Sequence, residues 1–380
     1  MQIGIDIRRL GDFGVGTYIR NLILGLARIG CADEFVLVGQ PSRMEKLGKL
    51  PPNFRFAPYL NDFDSPWSHA GYQGVLRRLA CDVFHMPHRW VPLLMSGTYV
   101  VTVHDLDALF YPREDASRYA ERFRRYQLRR GLRNAARVIT VSQATKSDAA
   151  KYLGVDPAKI EVVYNAMDEQ IAQSVSQEER DITLDRYQIT GPFVLYAGRI
   201  QPHKNIPRLI EAFAVARSGL EHHPKFHNLK LIVIGDDINA YPSVRHSVIR
   251  TRTQHSVRFL GFVPMETLRV FYDCAEAFLF PSLYEGFGLP PLEAMAHGTP
   301  VVTSNVASLP EVVGDAALLV KPENVFDIAR GLTQVLTDGA LRQQLRERGI
   351  ERVKKFSWDR TAQRVLEIYR DVASPNAASS

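Results

Sequence analysis

The sequence predicts an α/β protein of two doubly wound domains, each a parallel sheet flanked by helices. Three observations carry this expectation. The chain has 380 residues, more than the roughly 250–300 at which a single hydrophobic core stops growing. Short β-rich apolar runs alternate with helical patterns along its length, the order that parallel strands joined by crossover helices require. A polar, acidic stretch with no β-rich run, Asp168–Gly191, separates two such series and marks the junction.

In the first series the strands are expected at Ile3–Ile7, Glu34–Gly39, Val83–His85, Tyr99–Val103, Arg137–Val141 and Ile160–Val163. The second series runs Phe193–Ala197, Leu229–Ile234, Val257–Leu260, Ala277–Phe280, Pro300–Thr303 and Ala317–Val320. The domains are accordingly placed at 1–170 and 190–357. A last helix, 358–373, opens with Ser357 as N-cap and repeats apolar residues at Ala362, Val365, Leu366 and Tyr369. The tail from Ser374 to Ser380 is too small and polar to pack and is expected to fray.

Composition excludes several classes. With 46% hydrophobic and 23% charged residues the chain is neither disordered nor collagenous. Cys31, Cys81 and Cys274 are scattered, with no spacing suited to zinc or a redox pair, so a reducing cytoplasm fits. No leader-like segment opens the chain and no apolar run reaches about 18 residues, so neither secretion nor membrane spanning is expected. A net charge of +6 implies acidic partners, whether nucleic acid, phosphorylated small molecules or an anionic membrane face.

Ligands of open α/β sheets bind beyond the carboxyl ends of the strands, so two such domains facing each other are expected to form a cleft lined by strand-to-helix loops. The most informative loop runs from Phe280 to Ala296, with Glu285-Gly286-Phe287-Gly288-Leu289-Pro290 leading into a helix that carries Glu293. Glycines let main-chain N–H groups approach a ligand closely, and a helix N-terminus is an anion site. Pro290 suits a first helical turn. Taken alone, Glu285 could be a solvated loop acid and Glu293 a helix-start acid. In Tyr196-Ala197-Gly198-Arg199-Ile200-Gln201-Pro202-His203-Lys204-Asn205, Arg199 offers a planar fork and Lys204 a point charge, both suited to a departing diphosphate. The alternative is a solvated surface pair. His104 follows the strand Tyr99–Val103. It is either a ligand-binding imidazole or a histidine satisfied at a strand end. Asp105 and Asp107 beside it spell D-x-D, a metal-binding triplet common by chance. Asp12-Phe13-Gly14-Val15-Gly16-Thr17 is a glycine-rich turn for a phosphate or sugar. It lacks the third glycine of a dinucleotide fingerprint, which disfavours an NAD-dependent dehydrogenase. Leu260-Gly261-Phe262-Val263-Pro264 is either a ligand-facing loop or an ordinary turn.

Glu285 and Glu293, with seven residues between them, together with Arg199 and Lys204, resemble the signature of the retaining glycosyltransferase family 4, which has the GT-B fold. Pro300-Val301-Val302 and Leu309-Pro310-Glu311-Val312-Val313-Gly314 are similar to the same family. The resemblance implies two Rossmann-like domains with the C-terminal helix returning to the first. It implies metal-independent transfer of a hexose from a nucleoside diphosphate sugar to a saccharide or lipid-linked acceptor in surface polysaccharide or glycolipid synthesis. GDP-mannose ranks first as donor, before UDP-glucose and dTDP sugars. By the same resemblance Glu285 and His104 contact the donor sugar and Glu293 the ribose. Arg199 and Lys204 contact the diphosphate, the amides of Gly286, Phe287, Gly288 and Leu289 contact hydroxyls and diphosphate, and Val263 faces the base. Gly14, Gly16 and Gly198 complete the expected donor site. No metal, cofactor or nucleic acid is expected. A catalytically silent sugar-nucleotide scaffold and a sugar-nucleotide epimerase are the rival readings, the second lacking identifiable groups for proton abstraction. Acceptor contacts are expected on Asn61–Gly74 and Pro87–Pro92.

From Arg122 to Arg137 the chain carries seven arginines and no acid, interleaved with Phe123, Tyr126, Leu128 and Leu132. Such a basic amphipathic helix suits the anionic face of a membrane, and a solvated helix is the competing reading.

Overall fold

A computed structural model of the chain describes residues 1–12, 14–60, 66–93, 95–111 and 117–374, with the backbone alone over 66–70. Phe13, the tail from Pro375 and the first five residues of the expected acceptor loop Asn61–Gly74 lie outside the described residues. The chain divides into two compact units. One is formed by residues 1–166 with the C-terminal segment from Phe356, the other by 167–355.

The first unit holds strands β1 (Gln2–Asp6), β2 (Glu34–Gly39), β3 (Phe54–Pro58), β4 (Val83–Met86), β5 (Tyr99–Val103), β6 (Arg137–Thr140) and β7 (Ile160–Val162). They form one parallel sheet in the order β3-β2-β1-β4-β5-β6-β7. Its inner strands are buried on both faces, which is why they read as unbroken apolar runs. The exception is β3, absent from the sequence expectation. None of Phe54-Arg55-Phe56-Ala57-Pro58 is fully buried, and the strand stands at the sheet edge, where a proline leaves no donor missing from the ladder. Helices α1 (Val15–Ile29), α2 (Pro41–Met44), α3 (Pro66–Leu79), α4 (Asp107–Phe110), α5 (Arg118–Asn134) and α6 (Gln143–Leu153) connect the strands.

The second unit holds α7 (Gln177–Arg186), β8 (Phe193–Ala197), α8 (Ile206–Gly219), β9 (Lys230–Ile234), α9 (Pro242–Arg250), β10 (Val257–Gly261), α10 (Met265–Cys274), β11 (Ala277–Phe280), α11 (Leu289–Ala296), β12 (Val301–Ser304), α12 (Leu309–Val313), β13 (Ala317–Val320), α13 (Val325–Thr337) and α14 (Gly339–Val353). Its sheet is parallel in the order β10-β9-β8-β11-β12-β13. The acidic junction stretch folds in part as α7, started by a capping box between Ser176 and Glu179. Arg180 binds Asp273 at 2.6 Å and tethers that helix to the unit.

Counted from the first strand of each unit, both sheets read 3-2-1-4-5-6, with β7 added at the edge of the first. The strand order therefore reverses between β1 and β4, and again between β8 and β11. The crevice outside the carboxyl ends of such a pair is where doubly wound sheets bind ligands.

The C-terminal helix, Trp358–Ala373, closes the first unit. Ser357 caps it, its Oγ accepting from Arg360 N at 3.2 Å. Trp358, Ala362, Val365, Leu366 and Tyr369 are buried with Ile19, Leu22, Ile23 and Leu26 of α1 in one core, as the apolar spacing of both helices predicts. Gly25 lets the two helices approach: a Cβ there would stand 2.8 Å from Ala362 Cβ and 3.1 Å from Trp358 O. Gly25→Val is expected to destabilise the first unit by about 1–3 kcal/mol. Hydrogen exchange should register this as faster exchange across 358–373, with residues 190–350 unaffected.

Candidate active site

In the second unit the loops after β8 and β11 come together at the strand-order reversal. Asn205 adopts a left-handed conformation, φ 62°, which asparagine tolerates better than most residues. Its buried amide Nδ2 donates to Pro281 O at 2.9 Å and to Pro322 O at 2.7 Å. Leu283 N donates to His203 O at 2.7 Å. With the two loops stitched in this way, Lys204 Nζ lies 2.7 Å from Glu285 Oε1 and 2.8 Å from Oε2. Both side chains are largely buried, at 15% and 10% exposure, so this ion pair is not a screened surface contact. Lys204 Nζ also stands 5.4 Å from the centre of the Phe280 ring, a cation–π placement.

Arg199 is brought near but not into this pair. Its side chain is 63% exposed and its Nε is 3.9 Å from Asp236 Oδ1, beyond hydrogen-bond range. Asp236, which the sequence reading passed over, accepts from Ile200 N at 2.7 Å and so fixes the loop bearing Arg199. Its neighbour Gly235 is obligatory: a Cβ there would meet Gly198 O at 2.0 Å. Gly198 and Gly235 (φ 151° and 157°) thus serve a close crossing of two strand ends. The signal for the pair was available in Ile234-Gly235-Asp236, a glycine and an acid directly after an apolar strand.

The Glu285-Gly286-Phe287-Gly288 turn is held from behind by another residue not singled out from sequence. Ser308 Oγ, fully buried, donates to Glu285 O at 2.9 Å and Phe287 O at 2.7 Å. Gly288, φ 115°, precedes α11 as its N-cap, and Pro290 lies in the first turn as expected. Leu289 begins the helix. Val263 is buried in the loop after β10. Glu293 points elsewhere than Glu285 does: its Oε2 accepts from Tyr272 OH at 2.8 Å. Burial, reinforced by the negative charge of Asp168 and only partly offset by the Tyr272 bond, pushes the Glu293 carboxyl up to about 7.

In the first unit, Gly14 stands before α1 with φ 71°, where a side chain would be strained. Gly16 is a packing glycine as well, since a Cβ would fall 2.5 Å from Leu10 O. His104 follows β5 and is partly buried, with Nε2 3.0 Å from Pro87 O. Burial depresses its imidazole to about 4, so it is neutral at pH 7. Asp105 and Asp107 share one guanidinium: Arg89 Nη1 is 2.6 Å from Asp105 Oδ1 and 3.0 Å from Asp107 Oδ1. That shared cation offsets one of the two carboxylate charges. Among the described residues no group of three or more His, Cys, Asp or Glu is placed to hold a metal ion.

Most of the basic stretch folds as the expected amphipathic helix. The helix α5 starts at Arg118 and includes Glu121, and Arg137 already belongs to β6. Leu128 and Leu132 are buried in the protein core, whereas Tyr119, Phe123 and Tyr126 face outward at 85%, 53% and 59% exposure. The outward apolar residues are thus aromatic and flanked by arginine. Among the described residues no helix is long and apolar enough to cross a membrane.

Two parallel sheets of reversing order, with charged strand-end loops, match the GT-B fold of glycosyltransferases. The family model described as Glycosyltransferase Family 4 matches residues 14–171, and that described as Glycosyl transferases group 1 matches 184–352. O-antigen chain mannosyltransferase B of Escherichia coli is 32% identical, over 76% of this chain and 74% of that one. An uncharacterized glycosyltransferase of Methanocaldococcus jannaschii is 33% identical over 94% of each chain. Sucrose-phosphate synthase from Thermosynechococcus elongatus superposes with a TM-score of 0.76 at 22% identity, covering 98% of this chain and 99% of that one. The chain belongs to glycosyltransferase family 4.

The raised carboxyl of Glu293 has a consequence for stability. An acid whose folded pKa lies above its ordinary value contributes stability below pH 4.5 that is lost as pH rises through 7. Glu293→Gln, which keeps an acceptor for Tyr272, is expected to remove this slope. Thermal denaturation should show it more stable than the parent by on the order of 2 kcal/mol at pH 8 and equal to it at pH 4.5.

Proposed function

We propose that this glycosyltransferase moves a hexose from a nucleoside diphosphate to a hydroxyl of a saccharide or lipid-linked acceptor, retaining anomeric configuration and using no metal ion. The observation that carries the reading is the Lys204–Glu285 pair at the carboxyl ends of β8 and β11. In the absence of ligand the carboxylate satisfies the ammonium. When a donor binds, the β-phosphate takes over Lys204, and Glu285 turns to the sugar hydroxyls as acceptor. Arg199, largely exposed and held by no close ion pair to Asp236, adds a forked donor to the same phosphates. The N-terminus of α11 adds partial positive charge. Glu293 receives the ribose hydroxyls, and main-chain groups around Val263 receive the base.

In the chemical step the bond from sugar C1 to the β-phosphate oxygen breaks while the acceptor hydroxyl oxygen bonds to C1 on the same face. The hydroxyl proton passes to the departing phosphate oxygen. Negative charge grows on the diphosphate, and fixed cations there stabilise the transition state more than the ground state. Two positive side chains and a helix end supply what a divalent ion supplies elsewhere. In the first unit His104 bonds a saccharide hydroxyl. Mannose comes first among the sugars because the E. coli relative at 32% identity is named a mannosyltransferase, and GDP comes first among the carriers on the family resemblance alone. UDP and dTDP sugars follow.

Lys204→Ala and Glu285→Ala are each expected to reduce turnover at least about a hundredfold with the fold intact, since one preorganised donor of this kind is worth about 2.7–4 kcal/mol. A rate near that of the parent in either variant refutes the assignment. A thermal-shift screen of GDP, UDP, dTDP and ADP in the presence of EDTA should show stabilisation by one of them, GDP by preference. A shift that appears only when magnesium is restored contradicts the metal-free reading.

The outward stripe of α5 supports a second part of the proposal, contact with an anionic membrane face. Tyr119, Phe123 and Tyr126 are spaced along one side of the helix, with Arg122, Arg125, Arg129 and Arg133 exposed around them. Aromatic rings with flanking cations are the pattern that binds headgroups. Flotation with vesicles containing anionic lipid should carry the protein, and Phe123→Ser with Arg125→Glu should release it. Equal recovery with neutral vesicles, or none with either, removes the idea.

A further inference from the structure

His104 is held in a defined orientation and protonation form by residues that reach back to the C-terminal helix. Its Nε2 faces Pro87 O at 3.0 Å, and a carbonyl only accepts, so Nε2 carries the proton. In a neutral imidazole that leaves Nδ1 as an acceptor with no proton to give. The plane of the ring is set by Tyr18, whose ring meets it edge to face at 4.6 Å and 74°.

Tyr18 is itself fixed. Its hydroxyl lies 3.2 Å from Thr102 Oγ1, and Thr102 Oγ1 lies 2.8 Å from His85 Nε2. His85 Nδ1 lies 2.6 Å from Tyr369 OH. Tyr18, Thr102, His85 and Tyr369 are all buried, where an unmade hydrogen bond is costly, so the chain of bonds holds as a unit. Trp358, from the same C-terminal helix as Tyr369, packs on the Tyr18 ring at 5.8 Å and 66°.

We propose that Tyr18 is a positioning residue for His104, clamped by Trp358 and Tyr369 of the C-terminal helix, and that the imidazole so fixed accepts a saccharide hydroxyl at Nδ1 alone. The inference rests on the reading that His104 contacts a saccharide, and goes beyond it by naming the atom, the direction of the bond and the residues that enforce both. A sugar that has lost the hydroxyl proton, such as its methyl ether, cannot make this bond. The saccharide is that of the donor or that of the acceptor, and separate KM measurements for each tell them apart.

The test is a double-mutant cycle on the full chain with Tyr18→Leu and His104→Ala, read by kcat/KM, together with the 15N shifts of a histidine-labelled protein. Each single variant is expected to lose about tenfold, and the double variant to be no worse than His104→Ala. The His104 nitrogens should report the Nε2–H form in the parent and, once loss of the Tyr18 ring lets the imidazole turn off Pro87 O, a mixture of tautomers in Tyr18→Leu. Should Tyr18→Leu fail to fold, Tyr369→Phe, which breaks the chain at its far end, takes its place in the same cycle. Multiplying losses, or a loss with the tautomer unchanged, would mean that Tyr18 acts only on general stability and would overturn the proposal. An impaired His104→Ala beside an unimpaired Tyr18→Leu overturns it as well, with the role of His104 left standing. A His104→Ala variant at the parent rate instead removes the underlying reading.

Discussion

Two hydrogen bonds from one buried amide hold three strand-end loops of the second unit in register. Asn205 Nδ2 reaches Pro281 O after β11 and Pro322 O after β13, while its own backbone ends the loop after β8. An asparagine suits the position twice, by tolerating the left-handed backbone and by carrying two N–H donors on one nitrogen. Lys204 is the residue before it. Its ammonium lands on Glu285 because the peptide chain on either side is fixed in this way.

The proposed exchange with a donor suits the pair so formed. A largely buried ammonium or carboxylate left alone carries a heavy desolvation cost, so each needs a partner in the ligand-free protein. A diphosphate offers Lys204 more negative charge than a carboxylate does, and a sugar offers Glu285 several hydroxyl donors. Neither partner is then stranded when a donor enters. Behind the pair, Ser308 serves two carbonyls of the glycine turn and Asp236 serves the loop of Arg199. The site is thus braced by side chains that need never touch a ligand.

Much of this was legible in the amino-acid sequence because the information is local. Buried parallel strands announce themselves as apolar runs, and the strand limits at Glu34–Gly39, Tyr99–Val103, Phe193–Ala197, Ala277–Phe280 and Ala317–Val320 agree to the residue. The glycine turn before Glu293 and the capped C-terminal helix are likewise short-range patterns. What escaped is long-range. The edge strand β3 has no fully buried residue and ends in proline, so no buried apolar run marks it. Asp236 and Ser308 matter through partners 36 and 23 or fewer positions away, a relation that no spacing rule encodes. The outward aromatics of α5 could not be told from its core-facing leucines by composition alone. The link from Tyr369 to His85 joins residues 284 positions apart.

The central claim is that Lys204 and Glu285 trade each other for the two halves of an activated sugar. A crystal structure with an intact donor bound tests it most directly. The account predicts a β-phosphate oxygen within hydrogen-bond range of Lys204 Nζ, Glu285 on a hydroxyl of the sugar, and no cation bridging the phosphates. Phosphates bound away from a Lys204–Glu285 contact still closed at 2.7 Å, or a magnesium ion between them, would contradict it.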